Sequence, residues 1–124
     1  MKKKIVWGDL RGRVLHGEKI GRKLGYPTAN LARHYFNRHP VLNGVYAGVT
    51  TIKNKSYAVA AVVGVNGKIE AHVIGWRGNL YGSFLVVHLI ARLRALAPYT
   101  TDARLRKQIA FDLKVSQRLT APYL

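Results

Sequence analysis

Two short stretches of this sequence carry residue types suited to chemistry. The first is GRKLGYPTAN, residues 21–30. Pro27 fixes its own φ and biases Tyr26 toward extended backbone. If the segment is extended, Thr28 and Asn30 project to one side, with Ala29 between them on the other. A hydroxyl and an amide oxygen are hard donors, of the kind Mg²⁺ accepts when water and substrate phosphates complete its shell. Only Asp9, Glu18, Glu70, Asp102 and Asp112 are acidic. Neutral ligands therefore make sense if the metal arrives already neutralised by a nucleotide. Upstream, Gly12, Gly17 and Gly21 with Lys19, Arg22 and Lys23 offer amides and cations that could wrap phosphates. This is not a P-loop, because Glu18 stands where that motif requires lysine. On residue types alone, the stronger reading is an ordinary turn whose threonine bonds backbone.

The second stretch is KIEAHVIGW, residues 68–76. Strand alternation places Glu70 with His72 and Ile74 on one face, opposite Ile69, Ala71 and Val73. A carboxylate there could take a proton from a hydroxyl nucleophile. A lone strand glutamate more commonly just faces solvent, and His72 beside it could orient it. The other histidines, His16, His34, His39 and His88, show no metal-binding spacing. The chain has no cysteine, which excludes disulfides and thiolate metal sites.

Positioning these groups is the task of many short strands. The 124 residues, 48% apolar, suit one domain with a packed core. Residues 5–7 and 10–16 read as strands. Residues 17–43 read as mostly irregular, with Pro27 and Pro40 opposing a long helix. Strands at 44–52 and 55–65 flank a Lys53-Asn54 turn. Asn66-Gly67 carries the strongest hairpin signal, that of a type I′ turn, before the strand at 68–76. A turn at Arg77-Gly78-Asn79 leads to a strand from Leu80 or Ser83 to Leu93. On that strand Phe84, Val86, His88, Ile90, Arg92 and Arg94 share a face if alternation holds. Leu105, Ile109 and Leu113 repeat at four-residue spacing after a possible cap at Thr101 or Asp102, predicting an amphipathic helix over 102–118. Trp7, Trp76, Tyr46 and Tyr57 read as packing residues. The pattern predicts an all-β closed or nearly closed barrel with one C-terminal helix.

The formal charge is +16, a field that draws nucleotides, nucleic acid or anionic membrane. The N-terminal apolar run is too short for a signal peptide and no segment approaches a membrane span. A soluble, cytoplasmic protein is expected.

The pieces GRKLGYPTANL, NGVYAGV, KIEAHVI, LYGSFLVV and RLR…Y…L..QI..D, in that order from about Val6 to Val115, resemble the riboflavin kinase family. The resemblance implies a six-stranded antiparallel closed β-barrel with a C-terminal helix. It implies transfer of the γ-phosphoryl of ATP to the ribityl 5′-hydroxyl of riboflavin, giving FMN and ADP. Thr28 and Asn30 fall on the family's magnesium and phosphate residues, with Zn²⁺ or Mn²⁺ as substitutes for Mg²⁺. Glu70 falls on its general base. Gly17, Gly21 and Arg22 lie in its flap near the nucleotide phosphates. Val73 and Tyr81 align near the adenine, Arg94 aligns beside the flavin, and Tyr99 would help line the flavin surface.

Three departures fall in the flavin half. Gly64–Gly67 is a bare turn where family members run longer. Leu96 replaces a glutamate, and Pro98-Tyr99 stand where a basic residue and a phenylalanine are common. The expectation is one kinase-like domain over 1–124, without an adenylyltransferase domain, acting as a monomer on riboflavin and ATP. Nucleic acid is expected to bind only non-specifically, through charge. The competing reading is a nucleic-acid-binding or regulatory barrel that keeps the scaffold without flavin chemistry. The absence of aromatic–basic alternation on one strand, and the presence together of Thr28, Asn30 and Glu70, favour the kinase.

Overall fold

Alternating apolar residues form six antiparallel strands in a computed structural model, which describes residues 7–16 and 28–124. The strands are β1 (Gly8–Leu15), β2 (Ala29–Leu31), β3 (Gly44–Ile52), β4 (Lys55–Val63), β5 (Ile69–Val73) and β6 (Phe84–Arg94). They close into a barrel in the order β1-β2-β5-β4-β3-β6, which removes the free edges an open sheet would expose. Leu10, Tyr46, Val59, Ile69, Val87 and Leu89 fill its interior and are fully buried. Among the described residues two helices join the strands, α1 (His34–Arg38) and α2 (Asp102–Thr120), the latter followed by a 3₁₀ turn at Ala121–Tyr123. β2 and α1 lie inside the stretch expected to be mostly irregular. The short strand expected at 5–7 falls mainly outside the described residues, although Trp7 N donates to Leu89 O at 3.3 Å.

Turn chemistry differs from the sequence reading at one position. Lys53 and Asn54 both hold positive φ, 50° and 66°, as a two-residue type I′ hairpin requires. At the next hairpin only Gly67 does, at 75°. Gly67 N donates to Gly64 O and Gly64 N to Lys68 O. This is the three-residue hairpin loop closed by a left-handed glycine, not the type I′ turn expected at Asn66-Gly67. The Asn66 side chain instead accepts from Lys68 N at 3.0 Å, a local bond that leaves its backbone on the negative side of φ.

β6 does not keep one face along its length. Its pairing with β3 slips twice, between Val45 and Tyr46 and between Ala47 and Gly48. These slips leave Leu93 and Ile90 as extra residues and re-aim the side chains around them. Phe84, Val86, His88, Ile90, Arg92 and Arg94 therefore do not form the single row that strict alternation predicts. Gly12, read from the sequence as a phosphate-wrapping glycine, is a strand residue paired with Leu85. A Cβ there would lie 2.5 Å from Ala32 O, so the position serves close packing of β1 against the exit of β2.

α2 begins at the expected cap, with the Thr101 side chain accepting from Arg104 N. It runs two residues past the expected end. The helix packs on β3, β4 and β6, and β3 is consequently buried on both faces from Gly44 to Thr50. The deepest residues on its inner side are Asp112, Ser116 and Thr120, while Leu105, Ile109 and Leu113 are only partly buried. The seam is therefore more polar than the apolar stripe predicts. Thr120 Oγ1 donates to Ser116 O at 2.7 Å, and Asp112 is paired with Arg94.

Candidate active site

β2 is only three residues long, yet it brings the two chemically interesting stretches together. Its registers set Asn30 directly opposite Glu70 of β5 on one side and Leu15 of β1 on the other. Directly opposed residues of an antiparallel pair project to the same face with Cβ atoms about 5 Å apart. Leu31 and Ile69 form the neighbouring pair and point into the core, 3% and 1% exposed. Asn30 and Glu70 therefore share the outer face, as alternation on β5 predicts.

Two cavities flank this pair. The first, about 560 Å³, is lined by Thr28, Ala29, Asn30, Ala71, His72, Val73, Trp76 and Tyr81 among others. Small side chains at Ala29 and Ala71, a matched cross-strand pair, open its floor. Its outer wall is the 76–82 loop, tied to β1 where Gly82 N donates to Val14 O at 2.9 Å. There the rings of His16 and Tyr81 stack with centroids 3.7 Å apart. The second cavity, about 360 Å³, shares Leu15, His16 and Asn30 with the first and extends toward α1 and Lys68. Glu70 itself lines neither cavity; its neighbour Ile69 lines the second, its neighbour Ala71 lines the first, and its cross-strand partner Asn30 lines both.

Asn30 Oδ1 is buried without a hydrogen-bond partner. Such an orphan acceptor costs about 1–3 kcal/mol. A hard cation is one partner that would recover this, and Thr28 on the same cavity wall supplies a second oxygen donor. Among the described residues no cluster of three His, Cys, Asp or Glu could hold a metal ion. The donor set available here is the neutral hydroxyl–amide pair.

The sequence-predicted residues divide by location. Thr28, Asn30, Val73 and Tyr81 line the first cavity, and Glu70 is opposite Asn30. Arg94 and Tyr99 line neither cavity. Arg94 ends β6, three strands from β5 in either direction round the barrel. Its Nη2 meets Asp112 Oδ2 at 2.8 Å and its Nε meets Oδ1 at 3.2 Å. Gln108 Nε2 also donates to Asp112 Oδ1. Tyr99 is exposed and donates to Asp102 Oδ1, a bond that pushes its phenol pKa up. Gly17, Gly21 and Arg22 lie outside the described residues. His16, Trp76 and Leu80 also line the first cavity. Nothing local in the sequence marks them, because the folding of the 76–82 loop back onto β1 brings them there.

The riboflavin kinase family model, termed Flavokinase, matches residues 7–120. The chain belongs to the riboflavin kinase family. The flavokinase domain is 34% identical over 121 residues to a bifunctional riboflavin kinase/FMN adenylyltransferase of Pseudomonas fluorescens, covering 91% of this chain and 38% of that protein. A protein of the same description from Buchnera aphidicola subsp. Schizaphis graminum is 32% identical over 120 residues, covering 89% of this chain and 38% of that one. The chain thus spans well under half the length of these curated relatives. Among solved structures, a Streptococcus pneumoniae chain described as a macrolide-efflux protein matches with TM-score 0.74 and 28% identity, over 88% of this chain and 38% of that chain. Riboflavin kinase from Trypanosoma brucei matches with TM-score 0.63 and 20% identity, over 94% of this chain and 79% of that chain; this second likeness is one of fold. None of these matches favours the nucleic-acid-binding or regulatory barrel. Among the described residues no helix is long and apolar enough to cross a membrane.

Proposed function

We infer that this domain transfers the γ-phosphoryl group of ATP to the ribityl 5′-hydroxyl of riboflavin, giving FMN and ADP. The observation that carries the reading is the Asn30–Glu70 pair across β2 and β5, set at the edge of a cavity of nucleoside size.

In this reading the nucleoside occupies the first cavity, with Val73 as apolar wall and Tyr81, stacked on His16, closing its rim. Thr28 and Asn30 hold the divalent ion, Mg²⁺ with Zn²⁺ or Mn²⁺ as substitutes. That ion, when bound, neutralises charge on the β- and γ-phosphates. Gly17, Gly21 and Arg22 are assigned to the phosphates beyond it. Glu70 accepts the proton of the ribityl hydroxyl as its oxygen bonds to the γ-phosphorus. The bond from that phosphorus to the β–γ bridging oxygen breaks, and ADP carries away its electron pair. Glu70 then releases its proton to solvent. Positioning and charge compensation account for most of such a transfer.

Arg94, held by Asp112, and Tyr99 are assigned to the flavin ring. β5 and β6 lie three strand spacings apart, about 14 Å around the wall, so Glu70 and Arg94 would serve opposite ends of one acceptor. The domain is assigned to the cytoplasm as a monomeric enzyme. Incubation with riboflavin, ATP and Mg²⁺ followed by chromatography tests the reading. Equal amounts of FMN and ADP are expected, and ADP without FMN would contradict riboflavin as acceptor.

A further inference from the structure

The second cavity has a distinct chemical character. Beyond the residues it shares with the first, it is lined by Arg33, His34, Asn37 and Lys68, with no carboxylate in its wall. Lys68 precedes Glu70 by two residues and shares its strand face. Arg33 follows β2 and sits at the N-cap position of α1 without donating or accepting a side-chain cap bond. Its guanidinium is seated against Gly67, where an added Cβ would fall 2.8 Å from Nη2 and 3.0 Å from Cζ. The same glycine holds the left-handed φ of the hairpin. The turn thus reverses the chain and also leaves room for the Arg33 head group over Gly67. The ion pairs of Asp9 and Asp112 go to Arg11, His88 and Arg94; among the described residues, Arg33 meets no carboxylate.

We propose that the second cavity is a phosphate subsite, in which Arg33, on a wall it shares with Lys68, takes a phosphomonoester or terminal phosphate dianion beside Asn30. A guanidinium fork matches phosphate oxygens bidentately. The subsite's anion preference rests on the cavity alone. Its assignment to a phosphate of this reaction rests on the proposed function. In that setting the subsite discriminates: riboflavin presents a neutral hydroxyl there, whereas FMN presents a dianion. Arg33 then tightens product relative to acceptor.

The test uses the full chain as wild type, Arg33→Gln and Arg33→Lys. Arg33 is exposed, so these substitutions leave the core intact. FMN and riboflavin are titrated by flavin fluorescence, and ATP and inorganic phosphate by calorimetry. Arg33→Gln is expected to weaken FMN binding on the order of tenfold, with riboflavin binding unchanged and with Arg33→Lys recovering part of the loss. Inorganic phosphate should weaken in parallel. If ATP weakens and FMN does not, the nucleotide's terminal phosphate is the occupant. If FMN, ATP and inorganic phosphate all bind Arg33→Gln as they bind wild type, the subsite is overturned. Failure of the kinase reading looks different: no FMN forms, while phosphate binding still depends on Arg33.

Discussion

Asn30 and Glu70 meet because two residues far apart in sequence occupy one rung of the β2–β5 ladder. Their roles predict different outcomes on substitution. Glu70→Gln keeps the size and shape of the side chain and removes its basicity. It should fold normally, bind Mg²⁺–ATP as wild type does, and lose on the order of 10²- to 10⁴-fold in turnover. Asn30→Ala removes a buried acceptor that has no partner in the free protein. Its melting temperature without ligand should hold steady or rise, since the unsatisfied group costs about 1–3 kcal/mol. Its affinity for Mg²⁺–ATP should fall in the same preparation. A thermal melt paired with a nucleotide titration reads both effects, and an Asn30→Ala protein with unchanged affinity would remove the metal role.

The elements are held by a few ionic ties between strands and helix. Asp112 is 5% exposed and pairs with Arg94 across the β6–α2 seam. Asp112→Ala should destabilise by about 3 kcal/mol by denaturant melt, the low end for such pairs because Arg94 keeps some solvent contact. Asp9 ties β1 to β6, with Oδ1 2.8 Å from His88 Nδ1 and Oδ2 2.8 Å from Arg11 Nη2. Burial pushes this carboxyl up, but hydrogen bonds from Arg11 and His88 and their charges outweigh it and hold the pKa below its ordinary value. A lowered folded pKa stabilises above the unfolded value, about 4, and that contribution is lost as pH falls through the folded value. Asp9→Asn should therefore narrow the stability gap between neutral and acidic pH, measured by thermal melts below about pH 4. The same elements show what the sequence makes legible. The β3–β4 hairpin and α2 announce themselves because alternation, a turn pair and a cap agree locally. β2 is too short to show a period and α1 spans barely more than one turn, so both hide among prolines and polar residues. The slips in β6 belong to barrel closure and have no local signal. Thr28, Asn30 and Glu70 stand out by type, but the rung that Asn30 shares with Glu70, the basic second cavity and the seat of Arg33 on Gly67 exist only once β2 has found β5.

For the whole molecule, the charge is +16 and the proposed nucleotide substrate is polyanionic. Such a field should speed nucleotide encounter, and the association rate of Mg²⁺–ATP should fall as added salt screens it. A rate insensitive to ionic strength would leave the charge without a part in substrate capture. Closure of six strands gives the rigid wall on which one nucleoside-sized cavity and one basic cavity meet at Asn30. The central claim is that the carboxylate at this junction drives transfer between them. Its most direct measurement is single-turnover FMN formation by wild type and Glu70→Gln, with Mg²⁺–ATP affinity taken on the same samples. Rapid FMN formation by wild type, nearly lost in the variant at unchanged nucleotide affinity, is the predicted result; equal rates in the two proteins would contradict it.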